Sequence, residues 1–100
     1  MIKVYHVIEP TFFLTEQAPL RKSALALVAE VQTDIPGEAY ELTNTIHGPW
    51  WKNGKVRFLG SPQHGMDGCR STSVGDVLEL ADGTYQGVAG LGFREVTVIE

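Results

Sequence analysis

The chain has one cysteine, Cys69, so no internal disulfide can form. No apolar run reaches the roughly 20 residues that a membrane-crossing helix requires. The N-terminal residues Met1-Ile2-Lys3-Val4-Tyr5-His6 lack a long apolar stretch and a small-residue cleavage site, and are not expected to act as a secretory signal. These absences point to a cytoplasmic protein. Internal repeats and low-complexity tracts are absent too. So are the CxxC, HxxxH and HExxH spacings that mark common metal sites, and no metal or cofactor is expected.

What the chain does have is an ordinary globular composition: 100 residues, 43% apolar and 20% charged. That suffices for one domain, residues 1–100, around one modest core. Its net charge of −4 is unevenly spread. Residues 50–66 hold Lys52, Lys55 and Arg57 with no acid, while the segments on either side are acidic. An acidic chain is a poor sequence-independent nucleic-acid binder, because phosphate neutralisation supplies most of that affinity.

Residues 2–8 read as a strand with both faces partly covered, Ile2, Val4 and Ile8 opposed to Tyr5 and Val7. Residues 10–22, with Pro10, Pro19 and Phe12-Phe13-Leu14, read as a loop whose aromatics fold back onto the body. Residues 24–33 alternate, with Leu25, Leu27, Ala29 and Val31 on one face. A helix follows. Its expected stripe is Ile35, Ala39, Leu42 and Ile46, with Asp34 as N-cap, Pro36 in the first turn and Gly48-Pro49 as the stop. Trp50-Trp51 is read as extended chain, which sends the two rings to opposite faces. Asn53-Gly54 signals a tight turn and Val56–Leu59 a short strand. Residues 60–70 read as a glycine-rich loop. Val77–Ala81 and Thr84–Ala89 flank the hairpin signal Asp82-Gly83, and Phe93–Ile99 is a last strand. The expected fold is α+β, a mainly antiparallel twisted sheet of about five or six strands with one helix on a face.

Arg70-Ser71-Thr72-Ser73-Val74-Gly75-Asp76-Val77 is the most distinctive stretch. Ser73 and Asp76 have the spacing of a capping box, which allows a purely structural turn. The functional reading is a polar recognition surface, with the Arg70 guanidinium beside the hydroxyls of Ser71, Thr72 and Ser73. Trp50 and Trp51, beside Lys52 and Arg57, add aromatic anchors of the kind enriched at interface hot spots. The expected partner-binding set is therefore Trp50, Trp51, Lys52, Arg57, Arg70, Ser71, Thr72, Ser73 and Asp76. No set of residues has the spacing of a catalytic site. The enzymatic candidate is Cys69 as nucleophile, with Arg70 lowering its pKa and His64 or His47 as base. His6 reads as a residue at a sheet edge.

The stretch from Arg70 to Val77, with the following hairpin and Gly92-Phe93, resembles the pattern of the YodL-like domain. It is similar also to small uncharacterised actinobacterial and phage-encoded proteins, in which a helix like Ala39–Ile46 leads into a segment like Pro49-Trp50-Trp51. The resemblance spans residues 24–99. It implies an accessory protein of phage or mobile-element type that contacts a host or phage protein; with no catalytic set in the sequence, the expected role is a non-enzymatic binder, in one form an inhibitor. It supplies no catalytic residues. The run Ser73–Leu80 also looks like strand entries of PUA-like barrels. That likeness implies the alternative of a small RNA- or single-strand-binding module using the Trp50–Arg57 patch. Exposed strand edges make a homodimer a further expectation.

Overall fold

The computed structural model describes residues 1–7, 20–44, 50–59, 71–89 and 92–99, with Leu20 and Trp51 described by backbone alone. The strands are β1 (Ile2–Val7), β2 (Leu20–Arg21), β3 (Leu25–Val31), β4 (Val56–Phe58), β5 (Val77–Glu79), β6 (Tyr85–Val88), β7 (Phe93–Val96) and β8 (Val98–Ile99). Among the described residues there is one α-helix, α1 (Pro36–Thr43), between β3 and β4. Six strands form one sheet in the order β4-β3-β1-β5-β6-β7, with every pair antiparallel, and β2 and β8 pair in parallel. The fold is α+β, as the alternation of periods predicts.

A bulge decides how the two faces are filled. Val4 pairs with Ala29 but Tyr5 pairs with Leu27, so Val28 has no partner in the register. The extra residue shifts the pleat by one, and side chains before and after it face opposite ways. Val28, Ala29 and Val31 therefore join Ile2, Val4, Ala39, Trp50, Val56 and Leu78 in the core under the helix. Leu25 and Leu27 instead join Tyr5 and Val77, with Tyr85, Val96 and Val98 packed alongside. The expected single face of Leu25, Leu27, Ala29 and Val31 is thus split in two. Periodicity could not show this, because the bulged strand is apolar on both sides.

The helix departs from its sequence reading at the N-terminus. Ile35 is the N-cap, without a side-chain cap bond, and is 61% exposed instead of joining the apolar stripe. Asp34 does not cap; its carboxylate accepts from the Met1 amino group at 2.7 Å. The buried positions are Ala39 and Thr43, with Leu42 packed against the core. Only eight residues long, α1 depends on that packing more than on its own propensity. Ile46, Gly48 and Pro49 lie outside the described residues.

Three local expectations change. Leu20–Arg21 is a strand rather than part of a loop, because β8 offers it a parallel partner. The last strand divides at Thr97, where the chain leaves the large sheet to make that pairing. Trp50–Lys52 is a turn of 3-10 helix rather than extended chain.

The hairpin between β5 and β6 follows the sequence closely. Gly83 N–H donates to Leu80 O, Leu80 N–H donates to Thr84 O, and Gly83 adopts φ +89°. This is a three-residue loop closed by a left-handed glycine. Asp82 Oδ1 accepts from the Thr84 amide and hydroxyl, at 2.9 and 2.6 Å. These bonds hold the Asp82 carboxyl below its usual pKa.

Candidate functional site

The Thr72–Asp76 turn and the segment beginning at Trp50 meet, but they meet in the interior. His6 lies between them. Strand β1 sits centrally, between β3 and β5, so His6 is 2% exposed and not at a sheet edge. Its ring is 6.2 Å from the Trp50 ring, and its Nε2 lies 2.9 Å from Thr72 Oγ1. Trp50, 2% exposed, also packs edge-on against Phe58 at 5.8 Å.

Thr72 uses each of its polar groups. Its N–H donates to Thr43 O at 2.9 Å, which satisfies a carbonyl at the end of α1 that has no helical partner. Its own carbonyl accepts from Asn44 Nδ2, which also donates to Tyr40 Oη. The hydroxyl shares its hydrogen bond with His6. One threonine therefore ties together the helix end, the centre of the sheet and the turn before β5.

Asp76 orders the next step. Its Oδ1 accepts from Val7 N–H at 3.0 Å and its Oδ2 from Ser73 N–H at 2.7 Å. Asp76 N–H in turn donates to Ser73 O at 3.0 Å, closing a tight turn with Gly75 at φ +98°. The left-handed glycine in the third position is what a type II turn requires. Gly75 N–H and Val88 N–H then clamp the turn to β6 through Val88 O and Asp76 O. The capping-box spacing of Ser73 and Asp76 is used here without a helix.

This cluster of a histidine, a hydroxyl and a carboxylate is not arranged for catalysis. One ring nitrogen, Nε2, faces both Thr72 Oγ1 at 2.9 Å and Asp76 Oδ2 at 4.0 Å. Activating a hydroxyl nucleophile needs the carboxylate on the other ring nitrogen. Thr72 and Asp76 are 0% and 2% exposed, which leaves a substrate no approach. Among the described residues, no three His, Cys, Asp or Glu side chains converge to hold a metal ion.

The expected partner-binding set thus divides. Trp50, Thr72 and Asp76 are interior and do not present themselves to a partner. Ser73, Lys52 and Arg57 are exposed and Ser71 is half-buried. Arg70, Cys69, His64 and His47, and the side chain of Trp51, lie outside the described residues. Sequence reasoning missed Val74, which is 63% exposed at the tip of the turn. Its signal was an apolar side chain directly before a turn glycine.

On the face away from the helix, charges alternate across four strands. Arg57, Glu30, Lys3 and Glu79 are successive cross-strand partners on β4, β3, β1 and β5. Arg57 and Glu30 approach to 3.5 Å. Glu79 also accepts from Tyr5 Oη at 2.8 Å. Burial first, then that hydrogen bond and the Glu79 charge, push the Tyr5 phenol well above its ordinary pKa.

Neither a protein-family model, a curated protein nor a solved structure matches the chain.

Proposed function

We propose that this chain is a small non-enzymatic interaction domain of phage or mobile-element type, which binds a host or phage protein through Val74 and the bordering Ser71 and Ser73 of the turn before β5. The observation that carries the reading is Val74. It has the highest exposure of any large apolar side chain among the described residues, 63%, on a turn fixed from below by Asp76 and from the side by Val88. An apolar contact held in place before binding loses little conformational entropy on docking. Exposed Ser73 and half-buried Ser71 border it with hydroxyls, and Ser73 Oγ already donates to Ser71 O at 3.1 Å. Arg70, next in sequence, would supply a cation for an acidic group on the partner.

The single-strand-binding alternative loses its aromatic platform at Trp50, whose ring is interior and unable to stack on a base. Its bases are also partly offset. Lys55 lies 4.0 Å from Glu38, and Arg57 lies 3.5 Å from Glu30.

Affinity capture from a host lysate with wild-type and Val74→Asp protein tests the proposal. The substitution points into solvent, so the fold is expected to survive, as circular dichroism will show. Loss of the captured protein with the fold intact supports the reading. Equal capture by both proteins refutes it.

A further inference from the structure

We infer that Asn53-Gly54 is a site of spontaneous covalent modification, where the asparagine amide closes to a succinimide and reopens as aspartate or isoaspartate. Both residues are exposed, in the turn that leads into β4. Asn53 Oδ1 accepts from Lys55 N–H at 2.8 Å. That bond folds the side chain back along its own backbone and polarises the Cγ carbonyl that must be attacked. The leaving nitrogen is not restrained: Asn53 Nδ2 makes no hydrogen bond among the described residues. The attacking nitrogen is equally open, since Gly54 N–H makes none there either. Apart from its two chain neighbours, no atom lies within 4 Å of a Cβ built on Gly54, so the glycine itself is uncrowded.

The chemistry balances without an oxidant or reductant. The Gly54 backbone nitrogen gives up its proton and attacks Asn53 Cγ, forming the ring C–N bond. The Cγ–Nδ2 bond breaks and the nitrogen leaves as ammonia, taking up a proton. Water then adds to one of the two imide carbonyls, the bond from that carbon to the ring nitrogen breaks, and the nitrogen takes back a proton. Addition at one gives aspartate, and addition at the other gives isoaspartate with an extra methylene in the main chain.

The chain contains its own control. Asn44 is the other asparagine, and its Nδ2 is held by Tyr40 Oη and Thr72 O. Its successor is Thr45, whose branched side chain crowds ring closure where Gly54 does not. The two asparagines therefore differ in both leaving group and nucleophile. The product matters electrostatically. Residues 50–59 carry Lys52, Lys55 and Arg57 and no acid, and modification places a carboxylate between the two lysines.

The test is incubation of the intact protein at mildly alkaline pH, followed by isoelectric focusing and peptide mapping with enzymatic detection of isoaspartate. An acidic form differing by a single charge is expected to accumulate and to map to residue 53, with Asn44 unchanged. Gly54→Ala is expected to slow it several-fold with unaltered circular dichroism, and Asn53→Gln to abolish it. The inference is overturned if Asn53 survives as long as Asn44. It is equally overturned if the acidic form maps elsewhere, or if Gly54→Ala reacts as fast as wild type.

Discussion

His6 and Thr72 lie 66 residues apart in the chain and share a buried hydrogen bond of 2.9 Å. Every other polar group of Thr72 is also engaged, so this contact is the meeting point of β1, α1 and the turn before β5. Thr72→Val keeps the shape and removes the hydroxyl from His6. Loss of a buried partner costs about 1–3 kcal/mol. The expected result is a lower urea midpoint with an unchanged slope. A midpoint equal to wild type would show that the bond contributes nothing.

Asp76 makes a second prediction about the same turn. Asp76→Asn keeps one acceptor oxygen for two amide donors, those of Val7 and Ser73. One N–H then loses its acceptor. Amide exchange at Val7 or Ser73 is expected to quicken ahead of the sheet as a whole, with a global loss of about 1–3 kcal/mol. Exchange at both amides matching wild type would contradict the arrangement.

Gly75 and Gly54 are both turn glycines with open space where a Cβ would sit, but only Gly75 has a positive φ, +98°. Gly75→Ala is therefore expected to cost about 1–2 kcal/mol from backbone strain alone. Gly54→Ala is expected to be nearly neutral. Thermal denaturation of the two variants separates the cases, and equal midpoints would show that left-handed geometry is not what Gly75 supplies.

Tyr5 predicts a loss of stability in alkali. Its folded pKa is raised, by burial first and by Glu79 second. The neutral phenol is thus the form the fold favours. The resulting stabilisation is fully present below the unfolded tyrosine value of about 10 and declines as pH rises above it. Urea midpoints measured from neutral to strongly alkaline pH should fall above that point in wild type and fall less in Tyr5→Phe. Parallel curves would remove Tyr5 as the cause.

Strand β7 predicts resistance to self-association through its edge. Ala89 N–H donates to Gly92 O, which sets the alternation so that Arg94 bonds inward to β6 while the amides of Phe93 and Glu95 face outward. Two copies pairing antiparallel there must place Arg94 opposite Arg94, or Glu95 opposite Glu95, in the registers of greatest overlap. Like charges directly opposite destabilise a strand pair. Replacing both with threonine should produce concentration-dependent dimers in light scattering. A wild-type protein that already dimerises through this edge would refute the argument.

The sequence alone settled the elements whose causes are local. Alternation gave β1 and β3 but not β2, and Asp82-Gly83 gave a hairpin because only a residue free to adopt positive φ closes that loop. Pro36 in the first turn marked the start of α1, although the cap itself moved from Asp34 to Ile35. The Ser73–Asp76 spacing foretold that the carboxylate would reach back to an amide three residues earlier. What the sequence could not decide was which residues face inward. The bulge at Val28 reverses the pleat of β3, and it arises from pairing with a distant strand. The charge row from Arg57 to Glu79 likewise exists only because four strands align in register. His6 looked like an edge residue because its neighbours in space, Thr72 and Asp76, come from the far end of the chain. Burial is a property of the assembled sheet, so Trp50 went inside and Val74 stayed out, a division that no local pattern of residues encodes.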